Sequence, residues 1–253
     1  MPRSGATRSG VPEPAEVVQG LRAGLAVIAR RPMDVLRVAF ARSIRHEVLR
    51  QAQGTLPRGV PCAPCEDKEL DALAESSHHE GLCVVAKPRR WASAQDLCES
   101  LTRARGCAVA LDRVRNPYNV GAILRSAAFF GLEGMILGAP AQQGGLAPMA
   151  VRVAEGGAEA LRIARTTDLA ETLARFRARG VHVVGADGRA PSNAVGFRYE
   201  RPMVLVVGNE REGLDDRVVA RCDALVAIRG PGSIESLNVG VAAGVLIAEI
   251  TRA

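Results

Sequence analysis

Aromatic residues make up only 3% of the 253-residue sequence, and lysine occurs only at Lys68 and Lys87. So few rings exclude a nucleic-acid-binding mode built on many stacking platforms. Positive charge is nonetheless in excess, with 33 basic against 27 acidic residues and a formal net charge of +6, almost all of it arginine. Arginine pairs bidentately with phosphate and stacks on bases, so the charge fits a polyanionic partner and fits solvated helix faces equally well. No run of 18 apolar residues occurs, which argues against a transmembrane helix and a membrane partner. The opening MPRSGATRSGVPEPAE lacks the apolar centre of a secretory signal.

The six cysteines are Cys62, Cys65, Cys83, Cys98, Cys107 and Cys222. A chain of this length needs no disulfide staples, so reduced thiols in the cytoplasm are expected. Cys62 and Cys65 form a lone C-x-x-C with no second pair at zinc-ribbon spacing, and no metal is expected. Also missing are G-x-G-x-x-G after a strand, the P-loop pattern and the G-x-S-x-G elbow, which disfavours ordinary dinucleotide, NTPase and hydrolase sites.

What is present is an ordinary globular composition, 47% hydrophobic and 24% charged, long enough for one large or two moderate domains. Residues 1–14, rich in Gly, Pro, Ser and Arg, read as a flexible tail. A helical spacing runs from Ala15 through EVVQGLRAGLAVIARR, then VLRVAFA alternates like a strand. Helices over IRHEVLRQAQ and KELDALAE, a short apolar segment around Val60 and GLCVVAKP complete a small α/β domain over 15–88. Residues 89–105 read as a linker with a short helix over SAQDLCESL. From residue 106 to 253, the strand runs CAVALDRV, GMILG, ALRIAR, VHVVGAD, MVLVVGN and DALVAI alternate with three helices. Those helices are NVGAILRSAAFFG, TDLAETLARFRARG and SLNVGVAAGVLIAEITR. Such alternation predicts a mostly parallel sheet with helices on both faces.

Open α/β sheets bind ligands beyond the carboxyl ends of their strands. Three segments dense in small and polar residues fall there: DRVRNPYNVGAILR, VVGNEREGL and IRGPGSIESLN. Their residues also have plain structural explanations. Asn119 would cap the helix beginning there, Arg125 would be a surface residue, and Glu210 would be solvated. Ser236 would cap the last helix with Asn238 in its first turn, and Gly208 and Gly213 would supply backbone angles closed to other residues.

Taken in order, the three segments resemble the motifs of the SpoU (TrmH-type) RNA ribose 2′-O-methyltransferases of the SPOUT superfamily. NPYNVGAILRSAAFFG matches the first through Asn119, Gly121 and Arg125. MVLVVGNEREGL matches the second through Gly208, Asn209, Glu210 and Gly213, and AIRGPGSIESLNVGVAAGVLIAEI the third through Ser236, Leu237 and Asn238. The resemblance covers about Cys107 to Arg252. VQGLRAGLAVI and HHEGLCVVAKP resemble the family's ribosomal-protein-like RNA-substrate-binding module, where His78 and His79 would touch RNA or simply form a turn.

The resemblance implies an α/β SPOUT domain with a deep trefoil knot, a device rare among folds, and a homodimer that completes the active site. It implies S-adenosylmethionine as cofactor, held around Gly208, Asn209, Gly213, Ile228 and Leu237, and a catalytic set of Asn119, Arg125, Glu210, Ser236 and Asn238. A guanidinium is an awkward base, so Arg125 is expected to orient a phosphate and stabilise a developing alkoxide, with Glu210 fixing it. Asn119, Ser236 and Asn238 would position the ribose and the loops. The implied substrate is structured RNA, a guanosine of ribosomal RNA first and tRNA second. A non-catalytic RNA-binding assembly factor is the alternative of a different class. The sequence departs from the family at Arg229 and Gly230, where Pro-Met usually follows Ile, and at Arg211, where a small residue is common.

Overall fold

The computed structural model describes residues 15–138, 146–233 and 236–252, so the expected N-terminal tail lies outside the described residues. The chain divides into two units between Arg90 and Trp91. The first opens with a strand, β1 (Glu16–Gln19), followed by α1 (Leu21–Arg30), which corrects the single helix expected from Ala15. Gly20 parts them at φ 100°, and its N–H reaches the carbonyls of His79 at 3.2 Å and Leu82 at 3.1 Å. Val17, Leu21 and Leu25 keep a four-residue spacing across the break, which is why periodicity alone misses it.

β2 (Val35–Phe40), α2 (Arg45–Ala52), β3 (Cys62–Pro64), α3 (Asp67–Ala74) and β4 (Leu82–Ala86) complete this unit, in sheet order β1-β4-β2-β3. β4 runs antiparallel to both β1 and β2, and β3 parallel to β2. Val17, Ala39, Cys83 and Val85 pack on one face against Leu70 and Leu73 of α3. His79 is buried in the turn before β4, where its Nδ1 accepts from the Gly81 N–H at 3.0 Å and its Nε2 lies 3.2 Å from Asp71.

The second unit begins inside the expected linker. Ser93 caps α4 (Ala94–Ala104) by accepting from the Asp96 N–H, and Leu97, Cys98 and Leu101 are buried in this unit's core. Residues 94–104 are therefore part of the fold rather than a connector. There follow β5 (Cys107–Leu111), α5 (Pro117–Phe129), β6 (Gly134–Leu137), α6 (Pro148–Val153) and α7 (Gly157–Ala160). Next come β7 (Arg162–Arg165), α8 (Leu169–Arg177), β8 (His182–Ala186), β9 (Ser192–Asn193) and β10 (Met203–Val207). The unit ends with α9 (Asp216–Val219), β11 (Ala224–Ala227) and α10 (Val239–Arg252).

These strands form one sheet in the order β7-β6-β5-β10-β8-β11-β9, with every pairing parallel. A parallel sheet must be covered on both faces, and it is. Leu97 of α4, Leu173 and Phe176 of α8 and Val218 of α9 pack on Ala108, Val204 and Val206. On the other face α5 lies against β6, and α10 against β10 and α5. β10 occupies the centre, between β5 and β8, although it follows both in the chain.

Candidate active site

In a parallel sheet every strand delivers its next loop to the same edge, so the segments after β5, β8, β10 and β11 gather at one place. The segment after β10 closes into a tight turn. The Asn209 N–H donates to the Gly213 carbonyl at 3.1 Å, the Gly213 N–H returns to Asn209 at 2.9 Å, and Gly213 takes φ 68°. Asn209 Oδ1 accepts from the N–H groups of Arg211 at 2.9 Å and Glu212 at 3.2 Å. Gly208 runs so close to the returning strand of the turn that a Cβ there would lie 2.4 Å from the Gly213 carbonyl oxygen.

Between this turn, the end of β11 and α10 lies a cleft. Asp187, Gly188, Gly208, Asn209, Glu210, Gly213, Ile228, Ser236 and Leu237 line it, together with apolar Val207, Val226, Val239 and Leu246. It thus gathers Gly208, Asn209, Gly213, Ile228 and Leu237, the five residues expected to hold a cofactor, and also Glu210 and Ser236. Apolar walls with the two carboxylates of Asp187 and Glu210 and strand-end peptide groups suit a small ligand that is apolar in part and polar in part.

Beside the cleft, one chain of side-chain hydrogen bonds joins the three motifs. The Asn119 amide donates to the Glu210 carboxylate, and its Oδ1 accepts from Asn238 Nδ2 at 3.1 Å. Asn119 is only 8% exposed, so partners on both sides of its amide matter: a buried polar group left unmatched costs about 1–3 kcal/mol. The capping explanations of these residues are corrected at the same time. Asn116 caps α5 by accepting from the Tyr118 N–H at 2.9 Å, with Pro117 at the first helical position, which leaves Asn119 inside the helix. Asn238, rather than Ser236, caps α10, its Oδ1 accepting from Gly240 at 2.9 Å and Val241 at 3.3 Å.

Arg125 stands apart from that chain. Its side chain is 57% exposed and pairs at 2.9 Å with Glu155 in the turn between α6 and α7. The expected pairing with Glu210 is not formed: Arg125 lies six residues beyond Asn119 on α5, about 9 Å of helix rise, and Glu210 is engaged at the Asn119 end. Arg229 turns its guanidinium onto the Ala190 carbonyl, and Arg211 is exposed at the tip of the turn after β10.

Sequence reasoning missed three residues here. Asp187 lines the cleft, with one carboxylate oxygen accepting the Arg189 N–H at 2.8 Å. Its only signal was an Asp-Gly pair directly after a buried strand. Asp112 is buried and accepts the Asp215 N–H at 2.7 Å, and Arg113 spans to Glu212 at 2.7 Å. Both end a strand run whose partners lie about a hundred positions away, a relation no local pattern carries.

Burial raises all six thiols above the ordinary cysteine value, Cys83 and Cys222 to about 12, and no cysteine lines the cleft. A thiolate nucleophile is therefore not part of this site. Among the described residues no three His, Cys, Asp or Glu side chains come together as a metal site requires.

A cleft at the carboxyl edge of a parallel sheet, with a buried amide–carboxylate chain at its side, has the form of the ligand sites of α/β domains. Residues 106–248 match the model of the SpoU rRNA Methylase family. A tRNA/rRNA methyltransferase of Mycolicibacterium gilvum, itself uncharacterised, is 34% identical over 238 residues, 93% of this chain and 74% of the relative. The AdoMet-bound rRNA methyltransferase of Sinorhizobium meliloti is 26% identical, with a TM-score of 0.74 over 94% of this chain and 87% of that one. AviRb, a SpoU methyltransferase of Streptomyces viridochromogenes, shares the fold at 24% identity and a TM-score of 0.73, covering 94% of this chain and 90% of its own. The chain belongs to the SpoU family of RNA methyltransferases.

Proposed function

We propose that the protein transfers a methyl group from S-adenosylmethionine to a ribose 2′-hydroxyl of structured RNA, a guanosine of ribosomal RNA before a tRNA site. The observation that carries this reading is the Glu210–Asn119–Asn238 chain, which ties the cleft to the start of α5 and the start of α10. The cofactor would lie in the cleft on Gly208, Asn209, Gly213, Ile228 and Leu237, where it supplies an electrophilic methyl group. Two neighbours with bound AdoMet, the Sinorhizobium and Streptomyces proteins, support that assignment. The absence of an activated thiol favours direct attack by a substrate hydroxyl, for which positioning is the main source of rate.

In this reading Arg125 meets the RNA phosphate next to the target and stabilises charge developing on the 2′-oxygen, its exposure leaving it accessible. Glu210 holds Asn119, and Asn119 with Ser236 orients the ribose. Exposed Arg115 and Arg211 add positive charge around the same edge. The first unit is the RNA-substrate-binding domain, gripping by shape and phosphate contacts. Leu237, Val241 and Val245 form an exposed apolar stripe running from the cleft along α10, which favours a homodimer built on that face. The trefoil knot of the family and a cytoplasmic setting, consistent with six free cysteines, belong to the same reading.

Transfer of labelled methyl from S-adenosylmethionine to unmodified rRNA and tRNA tests it, with Arg125→Ala as control. The expected result is label in one RNA class that resists alkaline cleavage at the modified position and is lost in the variant. Label that leaves the site alkali-sensitive would place the methyl on a base instead, and cofactor binding without any labelled RNA would favour an assembly factor.

A further inference from the structure

We propose that Arg113 is a positioning residue for the cofactor, acting from outside the cleft on the turn that forms its wall; the inference rests on the cleft being the S-adenosylmethionine site. Arg113 follows β5 at φ 58°, the left-handed region, which is strained for a residue with a Cβ and persists only where the surroundings over-determine it. The surroundings are specific. Its carbonyl accepts from Asn209 Nδ2 at 3.2 Å, which grips the start of the turn. Its guanidinium reaches the other end, donating from Nη1 to Glu212 Oε2 at 2.7 Å and from Nη2 to the Gly213 carbonyl at 3.3 Å.

One residue thus holds both limbs of the 209–213 turn, using its main chain for one and its side chain for the other. Its own position is fixed from below. Arg113 Nε is buried without a hydrogen bond of its own and lies at ion-pair distance, 3.5 Å, from Asp112 Oδ2, the carboxylate oxygen that accepts the Asp215 N–H just beyond the turn. Arg113 itself does not line the cleft, whereas Gly208, Asn209, Glu210 and Gly213 do. Releasing the guanidinium frees the limb that carries Gly213 without changing the identity of any cleft-lining residue. The loss should therefore fall on cofactor affinity rather than on the chemical step.

The test is calorimetric titration of the full chain with S-adenosylmethionine, for wild type, Arg113→Gly, Glu212→Gln and the double variant, alongside steady-state kinetics. Glycine is chosen because it removes the fork while relieving the backbone. Arg113→Gly is expected to raise the Kd about tenfold, the scale of one charged hydrogen bond, and Glu212→Gln a few-fold. The double variant should bind no more weakly than Arg113→Gly, because both changes break one contact. The KM for the cofactor should rise in step, with kcat at saturation within about twofold of wild type. Wild-type affinity in Arg113→Gly, or strictly additive losses in the double variant, overturns the proposal. Should Arg113→Gly not fold, Glu212→Gln, which alters only an exposed carboxylate, decides alone, and unchanged affinity there overturns it. A wild-type chain that binds no S-adenosylmethionine overturns the methyltransferase reading and this inference with it, an outcome distinct from binding that ignores residue 113.

Discussion

At the scale of single residues, Asn119 and Arg125 lie on one helix in opposite circumstances, and their substitutions should differ accordingly. Arg125→Ala removes an exposed charge paired with Glu155, so the fold is expected to keep its Tm while methyl transfer falls about 10²–10³-fold, as when a transition-state stabiliser is lost. Asn119→Ala leaves Glu210 and Asn238 without their shared partner. It should lower both activity and stability, the latter by about 1–3 kcal/mol, measurable by denaturant unfolding. A third residue gives a pH signature. Asp168 caps α8 by accepting the Glu171 N–H at 3.0 Å and pairs with Arg217 at 2.6 Å; these contacts, the backbone one foremost, hold its carboxyl below the usual aspartate range. A depressed carboxyl contributes stability that is complete above the unfolded-state pKa and lost as pH falls through the folded one. The Tm difference between wild type and Asp168→Asn should accordingly be constant near neutrality and close in acid. A gap that persists in acid would mean that the charge contributes nothing.

Elements were read from the sequence with uneven success, and the failures have identifiable causes. The strands over 107–111 and 203–207 were legible because each is an unbroken apolar run ended by a polar or glycine stop, and that over 182–186 because Val181, Val183 and Val184 lead into the Gly-Ala-Asp stop. The break at Gly20 was not, because the apolar spacing is continuous through it. α4 passed for a linker because its buried residues, Leu97, Cys98 and Leu101, make only a narrow stripe in a polar helix. The residues that meet at the candidate site were legible through three motifs, but their partners were not. Asn119 and Glu210 are 91 positions apart, and local rules assign an asparagine near a helix start to capping before anything else. The packing of α5 on α6 offers a test at this scale. A Cβ on Gly121 would lie 2.7 Å from the Ala150 carbonyl and from Val153 Cβ, so Gly121→Ala should cost about 1–3 kcal/mol by overpacking. Stability equal to wild type would mean that the helices part more easily than this contact allows.

For the whole molecule, the division after Arg90 says where a functional dissection must cut. Removal of residues 1–105 would strip Leu97 and Leu101 from the core of the second unit. Residues 91–253 retain α4, and that fragment should fold and bind S-adenosylmethionine yet fail to methylate RNA. Methylation by the fragment at the wild-type rate would deny the first unit its role in substrate binding.

The central place of β10 bears on how this chain comes off the ribosome. Until residues 203–207 have left the exit tunnel, β5 and β8 have been synthesised without the strand that will lie between them, and each presents an apolar edge to an empty slot. Contacts so distant in sequence form late, and unpaired edges attract other chains. A nascent chain that has emerged only as far as residues 187–202 is therefore the species most exposed to aggregation and to chaperone capture, and emergence of Met203–Val207 supplies the strand that joins β5 to β8.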